Sequence, residues 1–210
     1  MGLTLYGAKY SVYVRIVRLI LSAKRIPYHL QEVDIFAAGQ PSADYLVLNP
    51  MGRIPTLIDG DFVLYETRAI AEYLEERAPE TPLMPTDHQA RARCRQLCSV
   101  LDNDCYVQMV WGVFVPESDN RDDRQAIAPA LAKSKTIMQV VQEFLGDSGY
   151  FSLHSSPGLT DYWALPMFDC FDLSPSGRKM LADHPALHAW LVRMRDNADD
   201  LDRDILATAV

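Results

Sequence analysis

Apolar residues recur along the first third of the chain at spacings that change from strand to helix and back. A β-type run over residues 3–6 gives way to a loop, and apolar residues at helical spacing follow from Val12 to Ala23. Pro27 ends that helix, and the next apolar residues alternate as they do in a strand. The predicted elements are a strand at 3–6, a helix at 12–23, a strand at 29–35 and a short helix capped by Ser42 that ends before Asn49-Pro50.

Two further β-type runs, residues 56–58 and 62–64, flank Asp59-Gly60-Asp61. Asp-Gly between apolar runs is a strong hairpin signal. Pro55 lacks a backbone N–H and therefore fits the first position of the first of these strands. Helical spacing resumes after Glu66 and Thr67. The order β-α-β-α-β-β-α predicts a small α/β domain over residues 1–78.

The pattern changes after residue 78. Residues 79–86 contain three prolines and are predicted to be a linker. Beyond it we find helical spacing and no convincing strand, so residues 87–210 are predicted to form an all-helical domain. Its helices are expected from Asp87 to about Gly112, from Asp122 to Leu145, and from starts at Gly158, Pro175 and Pro185.

Composition narrows the classes of function. With 49% hydrophobic and 23% charged residues, the 210-residue chain can bury real cores. The net charge of −8 disfavours nonspecific nucleic-acid binding, because neutralising phosphates needs a basic surface. The sequence contains no apolar run of membrane-spanning length and no signal-peptide pattern. We therefore expect a cytoplasmic protein with neither a nucleic-acid nor a membrane partner.

The cysteines and histidines do not predict a metal site. The four cysteines form no CxxC pair, and free thiols in a reducing cytosol are the favoured interpretation. His184 and His188 have the spacing of the two HExxH ligands, but Pro185 stands where the general-base Glu is needed. We expect a capped helix there and no metal.

Two predicted helix starts carry residues suited to chemistry. Ser11 can cap its helix, which contributes about 1 kcal/mol, or donate to a bound anion, which is worth about 1.5–3 kcal/mol. Directed at a thiol, such a bond would lower the thiol pKa by roughly one to two units. Glu66 and Thr67 open a second helix, whose free N–H groups and dipole attract a carboxylate. An ordinary capped helix is the alternative at both places, and the hydroxyls of Tyr6, Tyr10 and Tyr13 are rivals to that of Ser11.

Aromatic residues supply candidates for an apolar substrate wall. Most such residues belong to a core, but Tyr106, Val110 and Trp111 lie together on one predicted helix of the second half and are the best candidates. Tyr10 is expected to be a loop or pocket residue and is a further candidate for the substrate site. Asp161, three residues after the start at Gly158, is expected to bond back to the cap and to be structural.

Paired motifs in the first half resemble the cytosolic glutathione transferases. Asn-Pro-Met-Gly-Arg-Ile-Pro at 49–55 resembles the NPxGxVP segment of that family, which ends in a cis-proline, and Glu66-Thr67-Arg68-Ala69-Ile70 resembles its ES-R-AI segment. The linker, the start at Gly158 and the His184-Pro185 segment also fit, so the resemblance covers essentially the whole chain. It implies a thioredoxin-like βαβαββα domain followed by an all-helical domain with the electrophile-site wall and dimer contacts, in a homodimer.

The resemblance also implies that glutathione, as co-substrate, lies across the first domain. Ile54 would pair its backbone with the cysteinyl part, and Glu66 and Thr67 would hold the γ-glutamyl end. Thr67 replaces the usual Ser but keeps the hydroxyl. The expected contacts are Gln40 and Arg53 at the glycyl end, Ile54, Pro55, Glu66 and Thr67.

The loop before the first helix indicates the reaction. Tyr6-Gly7 through Ser11 to Arg15 resembles the serine-type pattern of the phi and theta classes, which makes Ser11 the thiol activator. Because this loop contains no cysteine, thiol transfer is disfavoured. We therefore expect a transferase that conjugates glutathione to electrophilic, moderately apolar small molecules in detoxification.

A non-catalytic alternative comes from the same family. Tyr10-Ser11, residues 14–17 and residues 82–85 also resemble stringent starvation protein A, which associates with RNA polymerase. That protein departs from the Gly-Arg pair before Ile-Pro, whereas Gly52 and Arg53 are present here. The enzyme is therefore the favoured hypothesis, and a regulatory protein without catalysis is the alternative.

Overall fold

The computed structural model describes residues 2–37, 39, 41–118, 124–152, 155–198 and 200–207, the side chains of residues 124, 200 and 201 excepted. The chain divides into two compact units. Residues 1–82 and 199–210 form the first unit, and residues 83–198 form the second.

A four-stranded sheet in the order β2-β1-β3-β4 forms the centre of the first unit. β1 is parallel to β2 and antiparallel to β3, and β3 is antiparallel to β4. The strands are β1 Leu3–Tyr6, β2 Tyr28–Gln31, β3 Thr56–Asp59 and β4 Phe62–Tyr65, and the helices between and after them are α1 Val12–Ala23, α2 Ala43–Leu48 and α3 Thr67–Arg77. This is the predicted thioredoxin-like βαβαββα order.

Burial of α1 explains why its sequence is apolar almost all round. Val14, Ile16 and Val17 are fully buried, as are Leu5 of β1 and Ile70 of α3, and α1 packs against α3. β2 is shorter than predicted. The apolar alternation continues to Ile35, but the strand ends at Gln31 because the chain then turns, with Asp34 bonded to residues of that turn.

The second unit is helical in the part that the structure describes. Its helices are α4 His88–Val100, a π-helix Leu101–Phe114, α5 Val115–Ser118, α6 Arg124–Gln142, α7 Leu159–Leu173, α8 Pro175–Ala182 and α9 Pro185–Asp196. The starts expected at Gly158, Pro175 and Pro185 are observed. The helix expected to end near Gly112 continues to Ser118, with wider i→i+5 turns over 14 residues.

The last helix differs from the sequence-based division of the chain. α10 Asp200–Leu206 belongs to the first unit, not to the helical unit expected over residues 87–210. Buried Arg15 on α1 donates to the carbonyls of Ile205 (3.2 Å) and Leu206 (3.3 Å), and Arg18 bonds Asp204 (3.1 Å). Terminal helix carbonyls have no partner within their own helix, so these arginines hold α10 on α1.

Candidate functional site

The register of the sheet brings four chain segments to one end of it. Tyr6 pairs with Gln31 and with Thr56, and Thr56 pairs with Tyr65. The residues that adjoin this row lie along the same end of the sheet, and we call them the rim. The rim consists of the Ser11 loop after β1, the start of the loop after β2, Ile54-Pro55 before β3, and Glu66-Thr67 after β4.

Rim spacing matches a short extended peptide. Neighbouring strands lie about 4.8 Å apart, so the loop after β1 and the residues after β4 are separated by two such intervals, roughly 10 Å. Three extended residues span about 10 Å. The sheet thus places the ends of β1 and β4, which lead to the predicted thiol activator and the predicted anion site, at the distance that a tripeptide bridges.

Ser11 caps α1 from a half-buried position. Its backbone is extended (φ −66°, ψ 125°), and its Oγ accepts a long 3.5 Å bond from the Val14 N–H. The turn before it is tight. Ser11 N–H donates to the Ala8 carbonyl (3.1 Å), and a Cβ on Gly7 would lie 2.4 Å from Val14 Cγ2. Because the cap uses an oxygen lone pair, the Ser11 O–H proton can still be donated towards the rim.

The segment before β3 is held by side chains from α2 and its C-cap. The Arg53 carbonyl accepts from Tyr45 Oη and from Asn49 Nδ2, both at 2.7 Å. Tyr45 also bonds Thr56 Oγ1 (2.9 Å). The Ile54–Pro55 peptide is cis, as the family resemblance implies. Burial raises the pKa of the Tyr45 phenol. From the sequence, Asn49 was recognised as part of a motif but was assigned no role. Tyr45 was missed because its partners are eight and eleven residues away.

Glu66 and Thr67 occupy the start of α3. Glu66 has φ 72° and ψ 114°, which a non-glycine residue rarely adopts. Among the described residues its side chain caps no N–H of the helix. It projects outward, 53% exposed, and its Oε1 accepts from Arg53 at 2.7 Å. Thr67 is buried. Arg53 therefore contacts Glu66 in this structure, and a contact to the glycyl end would require this exposed pair to open.

Tyr10 lies beside Ser11 and contacts the loop after β2. Its hydroxyl donates to Asp34 Oδ1 at 2.5 Å, and its ring stacks on Phe36 at 6.1 Å. Burial and the bond to Asp34 raise the pKa of Tyr10. The same bond lowers the pKa of Asp34. A cleft of about 450 Å³ adjoins this loop and is lined by Tyr6, Gln31, Glu32, Val33, Asp34, Ala37, Ser42, Asp44, Tyr45 and Leu48.

The other predicted substrate-site residues belong to the π-helix of the second unit. Tyr106 is half-buried, Val110 is buried and Trp111 is 45% exposed. The two rings meet edge to face at 6.3 Å, and burial raises the pKa of Tyr106. Gln40, predicted to contact the glycyl end, lies outside the described residues.

Asp161 has a structural role, as predicted. Its carboxylate accepts from the Gly158 N–H (3.0 Å), so it reaches back to the start of α7. It also accepts from the Phe151 and Ser152 N–H groups and from Trp190 Nε1 (2.9 Å). Burial raises its pKa, and these donors oppose the shift. Asp161 thereby joins α7, α9 and the loop that precedes α7.

Neither a metal site nor a membrane-spanning helix is present in the described parts of the chain. There, no group of three or more His, Cys, Asp or Glu side chains is placed to hold a metal ion. All four cysteines are buried, and none of them forms a disulfide. No helix in the same parts is long and apolar enough to cross a membrane.

Known proteins resemble this chain in sequence and in fold. A family model described as the glutathione S-transferase N-terminal domain matches residues 5–82. A stringent starvation protein A homolog of Haemophilus influenzae is 31% identical over 79% of this chain and 73% of its own length. Glutathione S-transferase 1 of Dianthus caryophyllus is 29% identical over 77% of this chain and 74% of its own length.

Coverage of the relatives varies. A stringent starvation protein A homolog of Coxiella burnetii is 41% identical over 51% of this chain, and the match spans only 50% of that relative. The crystal structure of glutathione transferase F7 from Populus trichocarpa has a TM-score of 0.82, covers 99% of each chain and is 23% identical, so it shows a shared fold. Taken with the motifs and the rim, these matches show that the chain belongs to the glutathione S-transferase family.

Proposed function

We propose that this protein binds glutathione along the rim and transfers its thiolate to electrophilic, moderately apolar small molecules. The observation that carries the proposal is the sheet register, which aligns the Ser11 loop, Ile54-Pro55 and Glu66-Thr67 on one end of the sheet. In this arrangement Ile54-Pro55 would meet the peptide backbone of glutathione, Glu66-Thr67 its γ-glutamyl end and Ser11 its thiol.

Each part of glutathione has a proposed partner. The backbone of Ile54 pairs with the cysteinyl residue, beside Pro55, because the hydrogen bonds on the Arg53 carbonyl fix this segment. Glu66 receives the α-amino group of the γ-glutamyl end, and the N-terminus of α3 with Thr67 receives its carboxylate. Gln40 and Arg53 are proposed for the glycyl end.

Ser11 supplies the chemistry. Its hydroxyl donates to the glutathione sulfur at the positive end of α1, which stabilises the thiolate over the thiol. A hydrogen bond to a charged group is worth about 1.5–3 kcal/mol, equivalent to a fall of roughly one to two units in the thiol pKa. Tyr106, Val110 and Trp111 remain the proposed apolar contacts for the electrophile. We also propose a cytoplasmic homodimer.

The test replaces Ser11 by Ala and follows conjugation of glutathione to an aryl halide or an isothiocyanate. We expect kcat to fall by about 10- to 100-fold, in line with the loss of a hydrogen bond to a charged group, with the fold retained. Asp87→Ala is the matched control, because Asp87 caps α4 through a 2.8 Å bond to the Ala90 N–H. A cap lost there costs stability without touching the rim. Unchanged turnover in Ser11→Ala would remove Ser11 from the proposed role.

A second candidate is a regulatory protein of the same fold that has lost catalysis. It is favoured by the 31% identity to a stringent starvation protein A homolog over most of this chain. Calorimetry with glutathione tests the transferase, since the absence of binding at millimolar glutathione would support the regulatory protein and refute the transferase, but binding by itself would not establish the transferase.

A further inference from the structure

The loop that contains Ser11 is attached at both of its ends to the last residue of β2 or to the loop that follows β2. At its start, the Gly7 N–H donates to the Gln31 carbonyl (3.0 Å), and the Gly7 carbonyl accepts from the Val33 N–H (3.3 Å). These bonds continue the β1–β2 ladder for one step. At its far end, next to Ser11, the attachment is the side-chain bond from Tyr10 to Asp34, which are 24 residues apart in sequence.

Asp34 is itself fixed by the turn that it belongs to. Its Oδ1 accepts from the Phe36 N–H at 2.9 Å, and its carbonyl accepts from the Ala37 N–H at 3.4 Å. Phe36, although 67% exposed, covers one face of the Tyr10 ring. The acceptor is thus held by its own loop, so the bond restrains Tyr10 and the residue that follows it.

The Tyr10 bond also bears on whether the Tyr10 hydroxyl itself can act on a thiol. A phenol has one O–H proton, and Tyr10 gives this proton to Asp34 at a distance typical of a bond to a carboxylate. The Tyr10 oxygen can then only accept further bonds, and an acceptor does not stabilise a thiolate. Tyr10 therefore contributes through the position of its neighbour.

We infer that Tyr10 and Asp34 form a latch that holds the Ser11 loop on the rim, and that Tyr10 is a positioning residue for thiol activation. This inference rests on the proposed function. With the latch open, the Ser11 hydroxyl is less well aimed at the sulfur, while the sites for the peptide backbone and the γ-glutamyl end are untouched. A misplacement of 1 Å can cost about 100-fold in rate.

The experiment uses four variants: Tyr10→Phe, Asp34→Ala, the double variant that combines these two changes, and Asp34→Asn. Asp34→Asn keeps an acceptor oxygen for the Tyr10 hydroxyl. Tyr73→Phe is the matched control, because Tyr73 donates to Asp59 Oδ2 at 2.7 Å and Asp59 lies at the opposite end of the sheet, paired with Leu3. The measurements are kcat, KM for glutathione, the pKa of the bound glutathione thiol from thiolate absorbance, and amide hydrogen exchange over residues 8–14.

The latch predicts a specific pattern. Tyr10→Phe and Asp34→Ala should each lower kcat by about 10-fold, raise the bound-thiol pKa, leave KM for glutathione within about 2-fold and speed exchange over residues 8–14. The double variant should be no worse than either single one. Asp34→Asn should recover most of the activity, and Tyr73→Phe should affect stability alone.

Three results would overturn the inference. If Asp34→Ala kept or raised turnover while Tyr10→Phe lost it, the Tyr10 hydroxyl would act directly. If kcat and the bound-thiol pKa stayed at wild-type values while stability fell, the bond would be structural. If amide exchange over residues 8–14 were unchanged in Tyr10→Phe and in Asp34→Ala, the Tyr10–Asp34 bond would not be holding the Ser11 loop. A wild-type protein without glutathione binding or turnover would instead refute the proposed function, and hydrogen exchange would still decide whether the latch exists.

Discussion

Replacing Glu66 by Gln tests whether the rim recognises the γ-glutamyl end of glutathione. The α-amino group at that end is cationic, and the Glu66 carboxylate is the proposed partner. Gln keeps the shape and one acceptor oxygen but removes the charge. The variant therefore measures the charged part of the interaction with little change to packing.

The expected loss follows from the exposure of the pair. A hydrogen bond to a charged group is worth about 1.5–3 kcal/mol, but Glu66 is 53% exposed, and exposed charge pairs are weakened by solvent. Glu66 is also paired with Arg53 in the free protein, and wild type must break this ion pair to bind glutathione. The Gln variant has no such ion pair to break, which reduces the difference in affinity between the two proteins. We therefore expect a loss of about 1–2 kcal/mol, or roughly 5- to 30-fold in Kd.

Calorimetry with two peptides isolates this contribution. Glutathione carries the γ-glutamyl group, and cysteinylglycine lacks it, so Glu66→Gln should weaken the first and leave the second unchanged. Glu76→Gln, on the exposed surface of the same helix, removes an equal charge away from the rim and should change neither. Equal losses for both peptides, or a loss as large in Glu76→Gln, would refute the assignment of Glu66.

Two stability predictions concern ion pairs elsewhere in the first unit. The Lys24 side chain is fully buried and bonds Glu75 (2.8 Å) and two backbone carbonyls. Lys24→Met should therefore lower the free energy of unfolding in urea by about 3–5 kcal/mol, and the double variant Lys24→Met with Glu75→Gln should lower it by less. A loss below about 1 kcal/mol in Lys24→Met would contradict this. Bonds from Tyr73 and Arg77 lower the Asp59 pKa, so their contribution is complete above about pH 4 and is lost as the pH falls through the lowered pKa. Asp59→Asn should therefore lose less Tm than wild type on acidification from about pH 5 to about pH 2.5, and parallel Tm curves would argue against it.

Sequence patterns predicted the parts of the fold that depend on neighbouring residues. The Asp59-Gly60 hairpin and the Ser11 and Ser42 caps are observed, as are the helix starts expected at Asp87, Gly158, Pro175 and Pro185. The start expected at Asp122 lies outside the described residues. Each of the observed features is specified within a few residues by turn chemistry or by spacing. The π-helix was missed because its buried residues, at positions 101, 105, 109, 110 and 113, recur about every four residues, as buried residues of an ordinary helix also do.

Features that join distant residues could not be predicted in this way. α10 belongs to the first unit because Arg15 and Arg18, about 190 residues earlier, bond its last turn. The strand predicted to reach Ile35 ends at Gln31, and Asp34 then bonds Tyr10. Tyr10 was predicted to be a loop or pocket residue, and its loop position is confirmed. Its partner is set by the way β1 and β2 end side by side, which a single sequence does not reveal.

Absence of glutathione binding would point to the regulatory protein, but binding by itself does not establish the transferase. A register that brings Ile54-Pro55 beside Glu66-Thr67 can hold a peptide whether or not a thiol is activated. Catalysis needs one further group, a hydroxyl with a proton to give. Tyr10 has given its proton to Asp34, whereas the Ser11 cap leaves its proton available. The pKa of the bound glutathione thiol is therefore the deciding quantity. A transferase should lower it and lose the effect in Ser11→Ala, whereas a protein that only binds glutathione should leave it near the value in water, with or without Ser11.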